Sequence, residues 1–301
     1  MRDRLAALAL ALLGHLPLGF AQALGRGIGR VAWNFAGREQ RNARINLRLC
    51  FPEQTLAWHT RVAKASLREL VAASLEMPCF WRYTQRELEA CLVNREVLHE
   101  ILDVYRAGHG LVIAAPHLGS WEFVGSLIAA RTRMTTLFRP SRTPALDPII
   151  KAGRERQGAR LVPTDSSGVR ALARALGQGE CIGILPDQQP TTGNGMYADF
   201  FGHPAYTMVL LPRLVARHRV PVVTLFAQRL SGGRFQLHHR WMGEDLYDPD
   251  LGKACAEMNR SIEALVRQCP EQYNWIYKRF RKQPDDANPY SAPQRDATSP
   301  S

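Results

Sequence analysis

A chain of 301 residues with 46% hydrophobic side chains forms one large or two ordinary domains with a packed core, which excludes bulk disorder. Its six cysteines, Cys50, Cys79, Cys91, Cys181, Cys255 and Cys269, are scattered, with no C-x-x-C and no Cys/His spacing that would gather zinc ligands; no metal is expected, and free thiols fit a reducing compartment. The formal charge of +12 asks for an anionic partner, and without a zinc-finger, RRM or basic-zipper pattern nucleic acid is a poor one.

The first expected element is apolar. Leu5 to Leu24, LAALALALLGHLPLGFAQAL, carries no formal charge and approaches the hydrocarbon thickness of a bilayer, although His15, Pro17 and Gln22 interrupt it. No small-x-small cleavage site leads into a mature start, and Arg26, Arg30, Arg38, Arg41, Arg44 and Arg48 follow, opposed only by Glu39. A retained N-terminal apolar membrane-anchor helix, spanning or lying partly in the interface, is therefore expected over residues 1–35, with its basic flank on the cytoplasmic side. Such a flank attracts anionic headgroups at roughly 1 kcal/mol per residue. A buried core helix is the alternative for the apolar stretch, and a solvated helix face for the charges. The glycines of GRGIGR follow a helix rather than a strand, which weakens a dinucleotide-loop reading.

Residues 36–282 read as one domain. Leu67, Leu70, Val71 and Leu75 recur at helical spacing, so an amphipathic helix covers Leu56 to Leu75 ahead of Pro78. Short apolar runs follow at Leu111 to Ala115, Met134 to Phe138, Arg160 to Val162, Cys181 to Leu185 and Val222 to Phe226, separated by segments long enough to be helices. This alternation predicts an α/β fold with a central, largely parallel sheet flanked by helices. QQPTTGNG reads as a loop, RLSGGRFQLHHR as a hairpin turning at Gly232-Gly233, and Leu251 to Gln268 as a helix. The tail, residues 283–301, is too polar and proline-rich to pack.

Two histidines are followed by a glutamate five residues on: His117 and Glu122 in APHLGSWE, and His239 and Glu244 in HRWMGE. Composition alone predicts about one such match, so context must choose. His117 stands just past the carboxyl end of an all-apolar run, where open α/β sheets place their sites. Glu122 falls in the first turn of a following helix, whose N–H groups suit an anion. His239 lies in an alternating hairpin strand among Arg234, His238 and Arg240. A carboxylate that fixes the imidazole tautomer lets the other ring nitrogen take a proton from a bound hydroxyl. No G-x-S-x-G elbow occurs, so a serine acyl-enzyme has little support although Ser120 is near. Context alone leaves a catalytic pair and a structural pair both open.

The ordered phrases RNARINLRLCFPE (Arg41 to Glu53), APHLGSWE, LFRPSRTPALD, KAGRERQGARLVP, ILPDQQP, FFGHPAYT and CPEQYNWIYKRFRK run from Asn42 to about Lys282. Together they resemble the late acyltransferases of lipid A biosynthesis, membrane-bound members of the lysophospholipid acyltransferase superfamily. The resemblance implies transfer of a fatty acyl group from acyl carrier protein to a hydroxyl of a lipid A precursor at the cytoplasmic face of the inner membrane, with no cofactor. It implies His117 as general base and Glu122 as its orienting partner. Arg154, and after it Arg139, would grip anionic substrate groups, since a guanidinium binds phosphate in bidentate fashion. Asp187 and Gln188 belong to the family's Leu-Pro-Asp-Gln phrase, with Asp187 holding an arginine in place. Leu118 stands where an aromatic is expected, and Cys269 where an asparagine usually opens the PEQY phrase. Transfer to another glycolipid, hydrolysis of an acyl thioester, and a lipid-binding module with a degenerate site are the competing readings, and net charge does not separate acyl carrier protein from coenzyme A.

Overall fold

Six helices precede the first strand in the computed structural model, which describes residues 2–140 and 143–291: α1 (Arg2–Leu13), α2 (Leu18–Ala32), α3 (Gly37–Cys50), α4 (Leu56–Phe80), α5 (Gln85–Ala90) and α6 (Arg95–Arg106). Strands and helices then alternate as β1 (Leu111–Ala114), α7 (Trp121–Ala129), β2 (Met134–Phe138), α8 (Asp147–Arg156), β3 (Ala159–Pro163), α9 (Ser166–Gly177) and β4 (Cys181–Ile184). A hairpin of β5 (Gly195–Phe200) and β6 (His203–Met208) leads to α10 (Leu210–His218), β7 (Val222–Arg229), β8 (Phe235–Trp241) and α11 (Leu251–Gln268).

The five apolar runs are strands, and they join one six-stranded sheet in the order β3-β2-β4-β1-β7-β8, parallel except for β8. Both faces of this sheet are covered, as a parallel sheet requires. Val112 and Ala114 of β1 face a core shared with α3, α9, α10 and α11. Leu111 and Ile113 face a second core built with α5, α6 and α7, including Leu88, Leu98 and Phe123. The hairpin between β7 and β8 turns as expected, with Gly232 and Gly233 at φ 72° and 74°. The second hairpin, β5 and β6, lay hidden behind the loop signals of QQPTTGNG.

Three expectations need correction. The apolar N-terminal segment is not one anchor helix: it breaks between α1 and α2, and among the described residues no helix is long and apolar enough to cross a membrane. Pro17 explains the break, since it holds φ −54°, ψ 132° at the N-cap of α2 and disfavours helical backbone at the residue before it. Helix α2 instead packs on α4 through its glycines. A Cβ at Gly25 would lie 2.5 Å from Ala72 Cα, and one at Gly29 2.7 Å from Arg68 Cα, so the first and last glycines of GRGIGR serve a close helix crossing. Helix α4 also runs past Pro78 to Phe80, the proline falling in its last turn. Lastly, the chain does not leave the fold at Gln283. Tyr290 is buried, its hydroxyl donating to Asn46 Oδ1 and accepting from Phe280 N–H at 3.2 Å; residues 292–301 of the expected tail lie outside the described residues.

Candidate active site

Strands β1 and β4 are neighbours, with Ala114 opposite Ile184. Each is followed by one residue and a proline, Pro116 or Pro186, which ends the ladder. Three residues beyond the paired positions the chain therefore presents His117 from one strand and Asp187 from the other, side by side at the carboxyl edge of the sheet. The Asp187 carboxylate grips the histidine twice. His117 Nδ1 is 2.7 Å from Oδ1, and the backbone N–H of His117 donates to Oδ2 at 2.8 Å.

Asp187 is 3% exposed. Burial alone would raise its pKa, but the charge and hydrogen bonds of His117, aided by Arg279, outweigh it and hold the carboxyl below its ordinary value. An ionised Asp187 accepts only, so Nδ1 is the ring nitrogen that carries its proton, and in the neutral imidazole Nε2 is the one that offers a lone pair. That nitrogen accepts from the Gln188 side-chain amide at 3.0 Å. The half-buried ring lies 5.3 Å from the Trp121 ring. Behind the pair a cavity of about 10 Å³, lined by Asn46, Tyr273, Asn274 and Arg279 among others, has room for a water but not for an acyl chain.

The turn from Leu118 to Ser120 is held from several sides. Gly119 has φ 58°, and a Cβ there would lie 2.2 Å from Ala227 O, so only glycine fits. The Ser120 N–H donates to Ala227 O at 2.8 Å, the Gly119 N–H to Gln272 O at 3.1 Å, and the Asn274 N–H to His117 O at 3.0 Å.

Glu122 does fall in the first turn of α7, but its carboxylate is not hydrogen-bonded to His117. It receives Trp81 Nε1–H at 2.7 Å and both Nε–H and Nη2–H of Arg154, at 2.9 and 2.7 Å. Desolvation works against the Arg154 charge, yet the facing carboxylate prevails and raises the guanidinium's pKa. Of the six residues singled out from sequence, the fold thus joins His117 with Asp187 and Gln188, and Glu122 with Arg154. Arg139 stands exposed at the end of β2. Sequence reasoning missed Asp187 as the histidine's partner. The signal was present in the matching phrases AAPH and ILPD, two apolar runs each closed by proline and a chemically able residue. It also missed Trp81.

Residues 2–282 match the family of bacterial lipid A biosynthesis acyltransferases. The chain belongs to that family. Among curated relatives, the lipid A biosynthesis palmitoleoyltransferase of Escherichia coli (strain K12) is 27% identical over 274 residues, 90% of this chain and 88% of the relative. The myristoyltransferase of lipid A biosynthesis from the same organism is 26% identical over 287 residues, covering 94% and 88% of the two chains. The corresponding lauroyltransferase is 24% identical over 282 residues, covering 92% and 90%. This chain is accordingly an O-acyltransferase of lipid A biosynthesis, with a lipid A precursor as acceptor. Three acyl groups appear in these relatives' names, at similar identities to this chain.

Proposed function

We propose that this lipid A acyltransferase takes its acyl group from an acyl carrier protein thioester and passes it to a precursor hydroxyl with His117 as general base. The observation that carries the reading is His117 Nδ1 set 2.7 Å from the buried Asp187 carboxylate, which leaves Nε2, 3.0 Å from the Gln188 amide nitrogen, as the nitrogen that can take a proton. The acceptor hydroxyl replaces the Gln188 amide at Nε2 and gives up its proton there as its oxygen attacks the thioester carbonyl carbon. The C–S bond breaks, the ester forms, and the imidazolium returns the proton to the leaving thiolate. Asp187 stabilises the imidazolium throughout, a task the resemblance assigned to Glu122. Glu122 acts instead by fixing Arg154. With one edge of its guanidinium engaged by Glu122, the remaining N–H groups of Arg154 are available to an anionic group of the substrate, and exposed Arg139 offers a second contact.

Attachment to the cytoplasmic face of the inner membrane is part of the same proposal, by a helix lying in the interface. Phe20, Leu24, Ile28 and Val31 form one exposed stripe of α2, Phe35 extends it at 85% exposure, and Leu8 and Leu12 of α1 are exposed as well. Arg30 of α2 and Arg38 of α3 are also exposed. An apolar stripe accompanied by exposed cations suits the boundary of an anionic bilayer. The surplus of positive charge steers an anionic donor, carrier protein or coenzyme A alike, and acyl carrier protein is the one the family resemblance implies. Within the basic run YKRFRK, Tyr277 to Lys282, Arg279 is buried and holds Tyr206 O and Thr207 Oγ1 at 2.7 and 2.8 Å, leaving Arg281 exposed as a contact for the donor.

The test offers lipid A precursor together with acyl carrier protein and coenzyme A thioesters of several chain lengths, and reads the lipid products by mass spectrometry. The expected product is the precursor heavier by one acyl group, formed faster from the carrier protein. Free fatty acid released without acceptor, preference for coenzyme A, or acylation of some other glycolipid alone would overturn it.

A further inference from the structure

Behind the His117 turn lies a second cluster of charge, away from the reacting atoms. Glu76 of α4 is 0% exposed, yet its carboxylate has three donors on three different parts of the chain. Gln22 Nε2–H of α2 reaches it at 2.9 Å, Ser120 Oγ–H at 2.5 Å, and Arg229 Nε–H at 2.7 Å. Arg229, at the end of β7 and 3% exposed, also donates through Nη2 to Gly119 O and faces Glu69 of α4 at 3.6 Å. Its backbone is locked to one side chain: Arg229 N–H donates to Gln272 Oε1 and Gln272 Nε2–H donates to Arg229 O, both at 2.9 Å.

A buried ion pair gives up about as much in desolvation as its attraction returns, so stability alone is a weak reason to keep one. The contacts point to another reason. Both charged groups reach the Gly119–Ser120 turn, Arg229 through a backbone carbonyl and Glu76 through the serine hydroxyl, and the turn is two residues from His117. The turn has little freedom of its own, with Gly119 in left-handed backbone against Ala227 O. Misplacing a base by an ångström is enough to cost about a hundredfold in rate.

We propose that Glu76 and Arg229 are positioning residues for acyl transfer, setting the Gly119–Ser120 turn and through it the direction in which His117 Nε2 meets the acceptor hydroxyl. The inference rests on His117 as the base. It requires the geometry of the pair and not only its charge balance. Arg229→Lys keeps a cation beside Glu76 but cannot also span to Gly119 O. Ser120→Ala cuts the tie to Glu76 and leaves the ion pair whole. The double variant E76Q/R229M removes both charges at nearly constant volume.

The experiment measures kcat and KM for acyl transfer to lipid A precursor, the thermal midpoint, and amide hydrogen exchange at Gly119 and Ser120 in the full chain. Arg229→Lys and E76Q/R229M are expected to lower kcat by more than about tenfold with KM little changed, and Ser120→Ala by less, about threefold. Exchange at Gly119 and Ser120 should quicken in all three while exchange in β1 and β4 stays slow. Variants that keep the wild-type midpoint together with wild-type kcat and unchanged exchange at the turn would overturn the inference. So would a kcat that merely tracks the thermal midpoint across the three. Should the wild-type chain itself transfer no acyl group, the reading of His117 fails, and the exchange measurement still decides whether the pair orders the turn.

Discussion

His117 and His239 each open an H-x-x-x-x-E phrase, each holds a carboxylate on its ring, and in neither case is that carboxylate the glutamate five residues on. His117 takes Asp187, and His239 takes Glu100 at 3.1 Å. The two glutamates go to arginines, Glu122 to Arg154 and Glu244 to Arg219 at 2.8 Å. What separates the sites is environment. Asp187 is buried at the carboxyl edge of the sheet and bonds the histidine through two atoms. Glu100 lies on α6 with its side chain 49% exposed, shared between His239 and the Trp241 indole. A spacing motif brings residues near one another, but partners are chosen by what the fold places opposite them.

The sharpest way to break this comparison is to remove each histidine in turn. His117→Ala should lower turnover at least about a hundredfold, the scale of general base catalysis, and Asp187→Asn should follow it closely because an amide can favour the wrong tautomer. His239→Ala should retain most activity. Steady-state acyl transfer on folded variants decides, and equal losses at both histidines would erase the distinction.

The two arginines sharpen it next, in stability. Arg154→Ala strands the buried Glu122 carboxylate and should destabilise by roughly 3–5 kcal/mol. Arg219→Ala at the exposed pair should change stability by about 0–1 kcal/mol. Urea titration of both variants measures the contrast. Glu122→Gln should lower turnover less than Asp187→Asn, since it acts on Arg154 and not on the base.

The carboxylates also differ in acid. Because the folded-state pKa of Asp187 lies below its unfolded value, the carboxylate stabilises the fold at neutral pH, and that contribution is lost as pH falls below the ordinary carboxylate range and through the depressed value. Wild type should therefore lose stability more steeply in acid than Asp187→Asn does, by denaturant titrations at a series of pH values.

The smallest effects belong to the surface. Changing Phe20, Leu24 and Ile28 together to serine should weaken flotation with anionic vesicles while leaving the thermal midpoint nearly unchanged. Arg281→Glu should raise KM for an acyl carrier protein donor more than for a coenzyme A donor, with kcat little altered, the pattern of a contact equally strong in ground and transition states.

The N-terminus and the site show where sequence reasoning reached its limit. Leu5 to Leu24 is apolar enough to suggest one long anchor despite Pro17, and only the structure shows the helix breaking there and Gly25 and Gly29 seating α2 on α4. The apolar runs, the hairpin at Gly232-Gly233 and the helix at Leu251–Gln268 were legible because burial periodicity and turn chemistry are local properties written in adjacent residues. So was the placing of His117 past the end of a buried strand. That β1 lies beside β4, with Ala114 opposite Ile184, joins residues 70 apart. Local pattern carries no record of strand order or register, because both are set by how helices and sheet share one core. Asp187 became the partner of His117 by that route, and Glu76 met Arg229 and Ser120 by the same one.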